Sequence, residues 1–141
     1  MCLLINLKKQ WRNIMKIEDK QLLLQDLCCR LPYQVKASYY GVDEETTMYD
    51  VIDSIYIIGN GTIEVGIGQY GLNIEDIKPY LFPLESMTEE QKLELATIKT
   101  YVSLNKNKEY LLFDWLNANH FDYRGLIPMD LALDATNLNI Y

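Results

Sequence analysis

The sequence predicts an α+β fold: an N-terminal helix, a small curved antiparallel β-sheet or SH3-like barrel of roughly three to five strands, and a C-terminal helical pair. Three observations carry that expectation. Apolar residues recur at helical spacing over Ile17–Arg30, fall into short alternating runs between about residues 34 and 82, and return to helical spacing behind a capping signature at Ser86–Gln91.

Taken in order, Leu23, Leu24, Leu27, Cys28 and Leu31 predict one buried stripe on the first helix. Glu18 and Asp19 suit its positive end and Arg30 its negative end. Pro32 stops it, because the residue before proline avoids helical angles. QVKASYY alternates as a strand, with Val35, Ala37 and Tyr39 on one side. MYDVIDSIYII keeps neither parity, so a bulge near Asp53-Ser54 is expected to switch which side faces the core. Gly59-Asn60-Gly61 predicts a tight hairpin in which both Asn60 and Gly61 take positive φ. TIEVGIG then returns with Ile63, Val65 and Ile67 inward, Tyr70–Asn73 is a further short strand, and Pro79 and Pro83 are expected to end regular structure.

Ser86 with Glu89 and Thr88 with Gln91 form overlapping capping boxes. The helix behind them carries Leu93, Leu95, Ile98, Tyr101 and Val102, to about Leu104. A second, from about Lys108 to Asn117, buries Leu111, Leu112, Trp115 and Leu116. FDYRGLIPMDLALDA reads as short-range structure with Asp122 as a cap.

Residues 15–141 read as a single α+β domain, with the β region at about 34–82 and the helical region at about 87–135. Residues 1–14 read as a non-native or flexible extension, because MKIEDK at Met15 looks like a protein start; the alternative is an amphipathic arm bearing Leu3, Leu4, Leu7 and Trp11. That segment holds Lys8, Lys9 and Arg12 and no acid. Residues 15–141 therefore carry −10 of the overall −7. Such a body lacks the basic stripe that holds nucleic-acid backbones, so direct DNA or RNA binding is disfavoured. No apolar run approaches the ~18 residues of a bilayer span and no secretory signal is recognised, so the expected location is the cytoplasm, without membrane attachment. Cys2, Cys28 and Cys29 read as reduced structural thiols.

His120 is the only histidine, and a hydrolase or transferase would use it as the titrating group with Asp122 orienting it. The competing reading is a loop histidine with a satisfied hydrogen bond. A single histidine without C-x-x-C predicts no metal site, and Gly66, Gly68 and Gly71 lack the helix and Lys-Ser/Thr of a phosphate loop, so no cofactor is expected. Tyrosines crowd the β region. Tyr39, Tyr56, Tyr70 and Tyr80, with His120, Tyr123 and Arg124, are the candidate residues for contact with another protein, set against tyrosine's ordinary preference for strands.

IKPYLFPLESMTEEQ and DWLNANHFDYRGLIPMDLALDA, with the opening MKIEDKQLLLQDLCCRLPYQVK, resemble a group of short proteins of gut bacteria and their phages or mobile elements, for which no activity is established. The likeness runs from Met15 to Ala135, and WLN-x-x-HFDYRGLI is its most specific part. Relatives often carry a histidine pair where Asn119-His120 stands and glycine in place of Asp130, which weakens any chemistry needing paired histidines here. The resemblance implies a prophage or mobile-element origin and supports Met15 as the start. The expected function is recognition of a host or phage protein without catalysis. The alternatives are a small hydrolase or transferase using His120 and Asp122, and an acidic mimic of nucleic acid.

Overall fold

The computed structural model describes residues 15–40 and 47–141. The expected extension at 1–14 and the acidic turn at 41–46 lie outside the described residues. Helix α1 spans Ile17–Arg30, with Glu18 and Asp19 in its first turn and Arg30 in its last. Pro32 sits in the 3-10 turn Leu31–Tyr33 that ends it. The buried stripe of α1 is Leu23, Asp26, Leu27 and Arg30, with Leu24 and Leu31 partly buried beside the core. Cys28 is exposed, against expectation. Two charged positions share the apolar stripe because each finds a partner in the interior.

Strands β1 (Lys36–Tyr40), β2 (Thr47–Ile57), β3 (Ile63–Ile67), β4 (Tyr70–Asn73) and β5 (Lys78–Pro83) are followed by helices α2 (Glu89–Leu104) and α3 (Tyr110–Ala118) and by the short strands β6 (Phe121–Asp122) and β7 (Leu133–Asp134). The sheet runs β4-β3-β2-β1-β5-β6, with β7 also on β5. Its first four neighbour pairs are antiparallel, whereas β6 and β7 join β5 in parallel. The fold is therefore α+β with a curved sheet, as predicted, but the sheet is mixed and has seven strands among the described residues. The excess comes from the C-terminal tail, which lends two short pieces to β5. Strand order runs open from β4 to β6, and no closure into an SH3-like barrel is found among the described residues.

The register of β2 shifts between Ile52 and Ser54. Ile52 and Ile55, an odd number of residues apart, thereby reach the same core, which is the parity switch the sequence required. Across from the bulge, a Cβ on Gly66 would fall 2.0 Å from Ser54 Oγ and 2.6 Å from Asp53 Oδ1, so glycine makes room for the displaced pair. At the β2–β3 turn Gly61 alone is left-handed, at φ 84°, and donates its N–H to Ile58 O. Asn60 instead accepts the Thr62 N–H on its side chain. The hairpin is thus a type I turn closed by a left-handed glycine rather than two positive-φ residues.

Of the two prolines expected to end regular structure, Pro83 is the last residue of β5, whereas the strand runs through Pro79. Pro79 lies opposite Ala37, and the β1–β5 register covers only two pairs, so the N–H that Pro79 lacks falls where the ladder is giving out. One capping box forms, Thr88 with Gln91; Ser86 instead donates to Pro83 O. The main core joins Leu23 and Leu27 of α1 to Ala37, Ile52, Val65, Ile67 and Leu81 of the sheet and to Leu126, Leu131 and Ala132 of the tail. A smaller cluster, Tyr80, Ala135 and Ile140 with Phe82 and Leu133, forms separately. Among the described residues, no helix is long and apolar enough to cross a membrane.

Candidate functional site

His120 follows the last turn of α3 in the left-handed region, at φ 61°, and its N–H returns to Asn117 O. It thus occupies the position where helices commonly place glycine or asparagine to turn the chain away. Its ring stacks on Tyr141 at 3.7 Å and 12°. The Tyr141 hydroxyl accepts the Lys36 N–H (2.9 Å) and donates to Tyr80 O (2.7 Å), bridging β1 and β5 just past the end of their paired register. Lys36 Nζ reaches Ile140 O at 2.7 Å. The aromatic pair therefore closes a seam of the sheet. Although 42% of Tyr141 is exposed, its hydroxyl points inward, and desolvation pushes its pKa up to about 12.

His120 Nδ1 is buried and has no hydrogen-bond partner among the described residues. Burial, then the positive charges of Arg30 and Lys36, lower the His120 pKa from 6.5 to about 4. At neutral pH the ring is uncharged and poorly basic, which does not suit a general base. Because the folded-state value is depressed, the unfolded chain takes up the proton first. The stability tied to this group is complete above pH 6.5 and is lost as pH falls toward 4. His120→Phe keeps a ring for the stack but cannot titrate. Urea midpoints at about pH 7, 5.5 and 4.5 should therefore fall less in the variant than in the wild type; equal falls would show that the imidazole is not shielded.

Asp122 does not orient His120. Its Oδ1 accepts the Leu126 N–H (2.8 Å) and its Oδ2 the Ile127 N–H (2.9 Å), so both oxygens hold the turn that brings Leu126 into the core. This is the capping role expected of it. The two candidate catalytic residues lie two positions apart in sequence but are divided in task.

A second polar centre lies at the end of α1, and it was not anticipated. Asp26 and Arg30 are both fully buried; Arg30 Nε donates to Asp26 Oδ2 at 2.7 Å and Arg30 Nη2 to Asp26 Oδ1 at 3.1 Å. Arg30 Nη2 also donates to Phe121 O at 2.6 Å. Arg124 Nε approaches Asp26 Oδ1 at 3.2 Å as an ion pair. Both guanidiniums lie over the Tyr123 ring, Arg30 at 5.3 Å and Arg124 at 5.0 Å from its centroid. The available signal was the i, i+4 spacing of Asp26 and Arg30 within the run that carries Leu23 and Leu27. Arg124 also contacts Cys29 Sγ at 3.6 Å. Desolvation, and then Cys29, raise the Cys28 thiol pKa, the opposite of what an activated nucleophile needs. Among the described residues no group of three or more His, Cys, Asp or Glu side chains could hold a metal ion.

The proposed contact tyrosines do not form one face. Tyr39 and Tyr80 are interior, with 5% and 8% of their surface exposed, and their rings meet Tyr70 and Tyr49 respectively. Tyr70 pairs with Ile67, on the core-facing side of β3, whereas Tyr56 pairs with Glu64 on the opposite side, its hydroxyl reaching over Gly71. Tyr123 is held between the two arginines and against Phe113 at 5.5 Å. What the structure exposes instead is α2, none of whose residues is buried. Gln91, Leu95, Ile98, Val102 and Asn105 are half-buried at alternating spacings of four and three, forming the seam toward α3. Leu93, Thr97, Thr100 and Leu104 repeat the same spacing on the opposite side of the helix, and Leu93 and Leu104 are 70% and 79% exposed. The two threonine hydroxyls donate back to Leu93 O and Ala96 O, both at 2.9 Å, so their hydrogen-bonding needs are met within the helix. Of the apolar residues the sequence places on this helix, Leu93 and Tyr101 are exposed. Compared with protein-family models, curated proteins and solved structures, the chain matches none.

Proposed function

We propose that this protein acts by docking onto a protein surface through the outer stripe of α2, and not by transforming a substrate. The observation that carries the reading is the exposure of Leu93 and Leu104 at the ends of a stripe whose threonines have already satisfied their hydroxyls. α2 seats one side on α3 and leaves two large leucines in water on the other, and covering them would remove that apolar surface from solvent. The engagement of His120 beneath Tyr141, and of both Asp122 oxygens by backbone N–H groups, supports a structural use of the residues that a hydrolase would need. The sequence resemblance to proteins of phages and mobile elements supports a setting in which host and phage proteins share the cytoplasm, without fixing which protein occupies the stripe.

The test compares the wild-type chain with Leu93→Lys/Leu104→Lys in the cells that produce it, by chemical cross-linking and mass analysis. Both leucines face outward, so the variant is expected to keep its fold by far-UV circular dichroism. Cross-linked species, whether with other proteins or with further copies of the chain, should disappear in the variant. Identical patterns for the two chains would overturn the reading.

A further inference from the structure

We infer that the occupant of the α2 stripe is a second copy of this chain, laid antiparallel across a two-fold axis near the middle of the helix. The inference rests on the docking reading above and goes on to name the partner. Its basis is a symmetry in the stripe itself. Counted outward from the midpoint between Ile98 and Lys99, Thr97 and Thr100 are equidistant, as are Ala96 and Tyr101, and so are Leu93 and Leu104. An antiparallel copy therefore sets Leu93 against the second copy's Leu104, Thr97 against its Thr100, and the small Ala96 beside its large Tyr101. A two-fold interface requires this kind of self-complementarity, in which one residue meets another and the reverse contact follows. The Leu-Thr-Thr-Leu stripe meets that requirement, since it presents the same residues in the same order from either end.

Charge favours the same orientation. The first turn of α2 carries Glu89 and Glu90, and the segment after its last turn carries Lys106 and Lys108. Antiparallel pairing brings the acidic end of one helix beside the basic end of the other and opposes the two helix dipoles favourably. Parallel pairing would set glutamates on glutamates. Glu89 already pairs with Lys92 of its own helix at 3.0 Å, and at 92% exposure its side chain remains open to a second cation. Glu94, which follows Leu93, is engaged by the Trp115 Nε1 hydrogen bond at 3.1 Å and so is held toward α3.

Size sets the expected strength. A 16-residue helix is about 24 Å long, and one such crossing lies at the small end of specific interfaces. Micromolar association is therefore expected. Sedimentation from about 5 to about 500 µM should show the mass rising from one chain to two, while Leu93→Lys/Leu104→Lys stays monomeric with an unchanged far-UV spectrum.

Orientation is read by disulfide trapping in a background with Cys2, Cys28 and Cys29 replaced by serine. A mixture of Thr97→Cys and Thr100→Cys chains should cross-link at least about tenfold faster than either chain alone, because pairing raises the local thiol concentration. Preferential Thr97–Thr97 cross-linking would mean a parallel pair and overturn the geometry. Dimerisation that survives the double lysine variant would place the interface elsewhere and overturn it too. A wild-type chain that stays monomeric throughout overturns the second copy as occupant; if stripe-dependent cross-links to another protein persist in cells, docking itself stands with a different partner. A monomer in which Leu93→Cys becomes open to alkylation only after residues 1–14 are removed would make that segment the occupant instead.

Discussion

Replacing Asp26 with alanine is expected to destabilise the protein by about 3–5 kcal/mol, which for a chain of this size lowers the melting temperature by roughly 10–20 °C. The argument starts from the interior location of the pair. Arg30 has no exposed surface, and Asp26 receives two of its N–H groups while also facing Arg124 at 3.2 Å. Removing the carboxylate leaves one guanidinium fully buried and a second beside it, with only the Phe121 carbonyl still accepting from Arg30. An unpaired buried charge costs far more than the intact pair contributes, because the desolvation penalty stays while the attraction is gone. The same reasoning predicts that Asp26→Leu/Arg30→Met recovers part of the loss, since it removes the fully buried charge, while the partly exposed Arg124 still loses its partner. Urea unfolding of the two variants separates the cases. A loss below about 1 kcal/mol for Asp26→Ala would mean that water reaches the pair, as it does at surface ion pairs.

The second large effect is expected at Asp122. Asp122→Ala removes the acceptor of two backbone N–H groups at 2.8 and 2.9 Å, in a turn whose Leu126 is fully buried. Charge-assisted hydrogen bonds of this kind contribute about 1.5–3 kcal/mol each and do not add fully, so a loss of about 3 kcal/mol is expected. Asp122→Asn keeps one acceptor oxygen and turns an amide N–H toward the other donor, so its loss should be about 2 kcal/mol. Thermal unfolding of both variants checks the order. The comparison also bears on function. A catalytic aspartate replaced by asparagine leaves stability nearly unchanged and abolishes turnover, whereas a turn-holding aspartate loses stability in both variants.

Much of the architecture was legible in the chain because it rests on local rules. The two-residue alternation of β1, its failure in β2, and the need for a bulge at Asp53-Ser54 follow from the pleat alone, and the register shift between Ile52 and Ser54 answers them. The Thr88–Gln91 cap is likewise a three-residue relation. Where the reading failed, the deciding partner was distant. Cys28 was placed on the buried stripe because it is apolar and suitably spaced, yet the helix turns Asp26 and Arg30 inward, since Arg30 meets the Phe121 carbonyl 91 residues further on. Pro79 looked like a terminator because its missing N–H is visible in sequence, whereas the gap in the β1–β5 ladder that accommodates it is not. His120 and Asp122 looked like a catalytic pair because they are neighbours, but Tyr141 and the Leu126-Ile127 turn claim them separately.

By itself, then, the sequence determined the fold class, the helices at both ends, the β hairpins with their bulge, and the acidic character of residues 15–141. These depend on periodicity, capping and composition, all of which act within a few residues. Tertiary structure alone decided that the sheet is mixed, that a buried aspartate–arginine pair sits within the stripe of α1, and that the lone histidine ends a helix beneath Tyr141. It also left one side of α2 facing solvent. The physical reason is that burial and polar pairing are settled by which segments meet, and a buried charge or an uncovered leucine can be recognised only once its neighbours are in place.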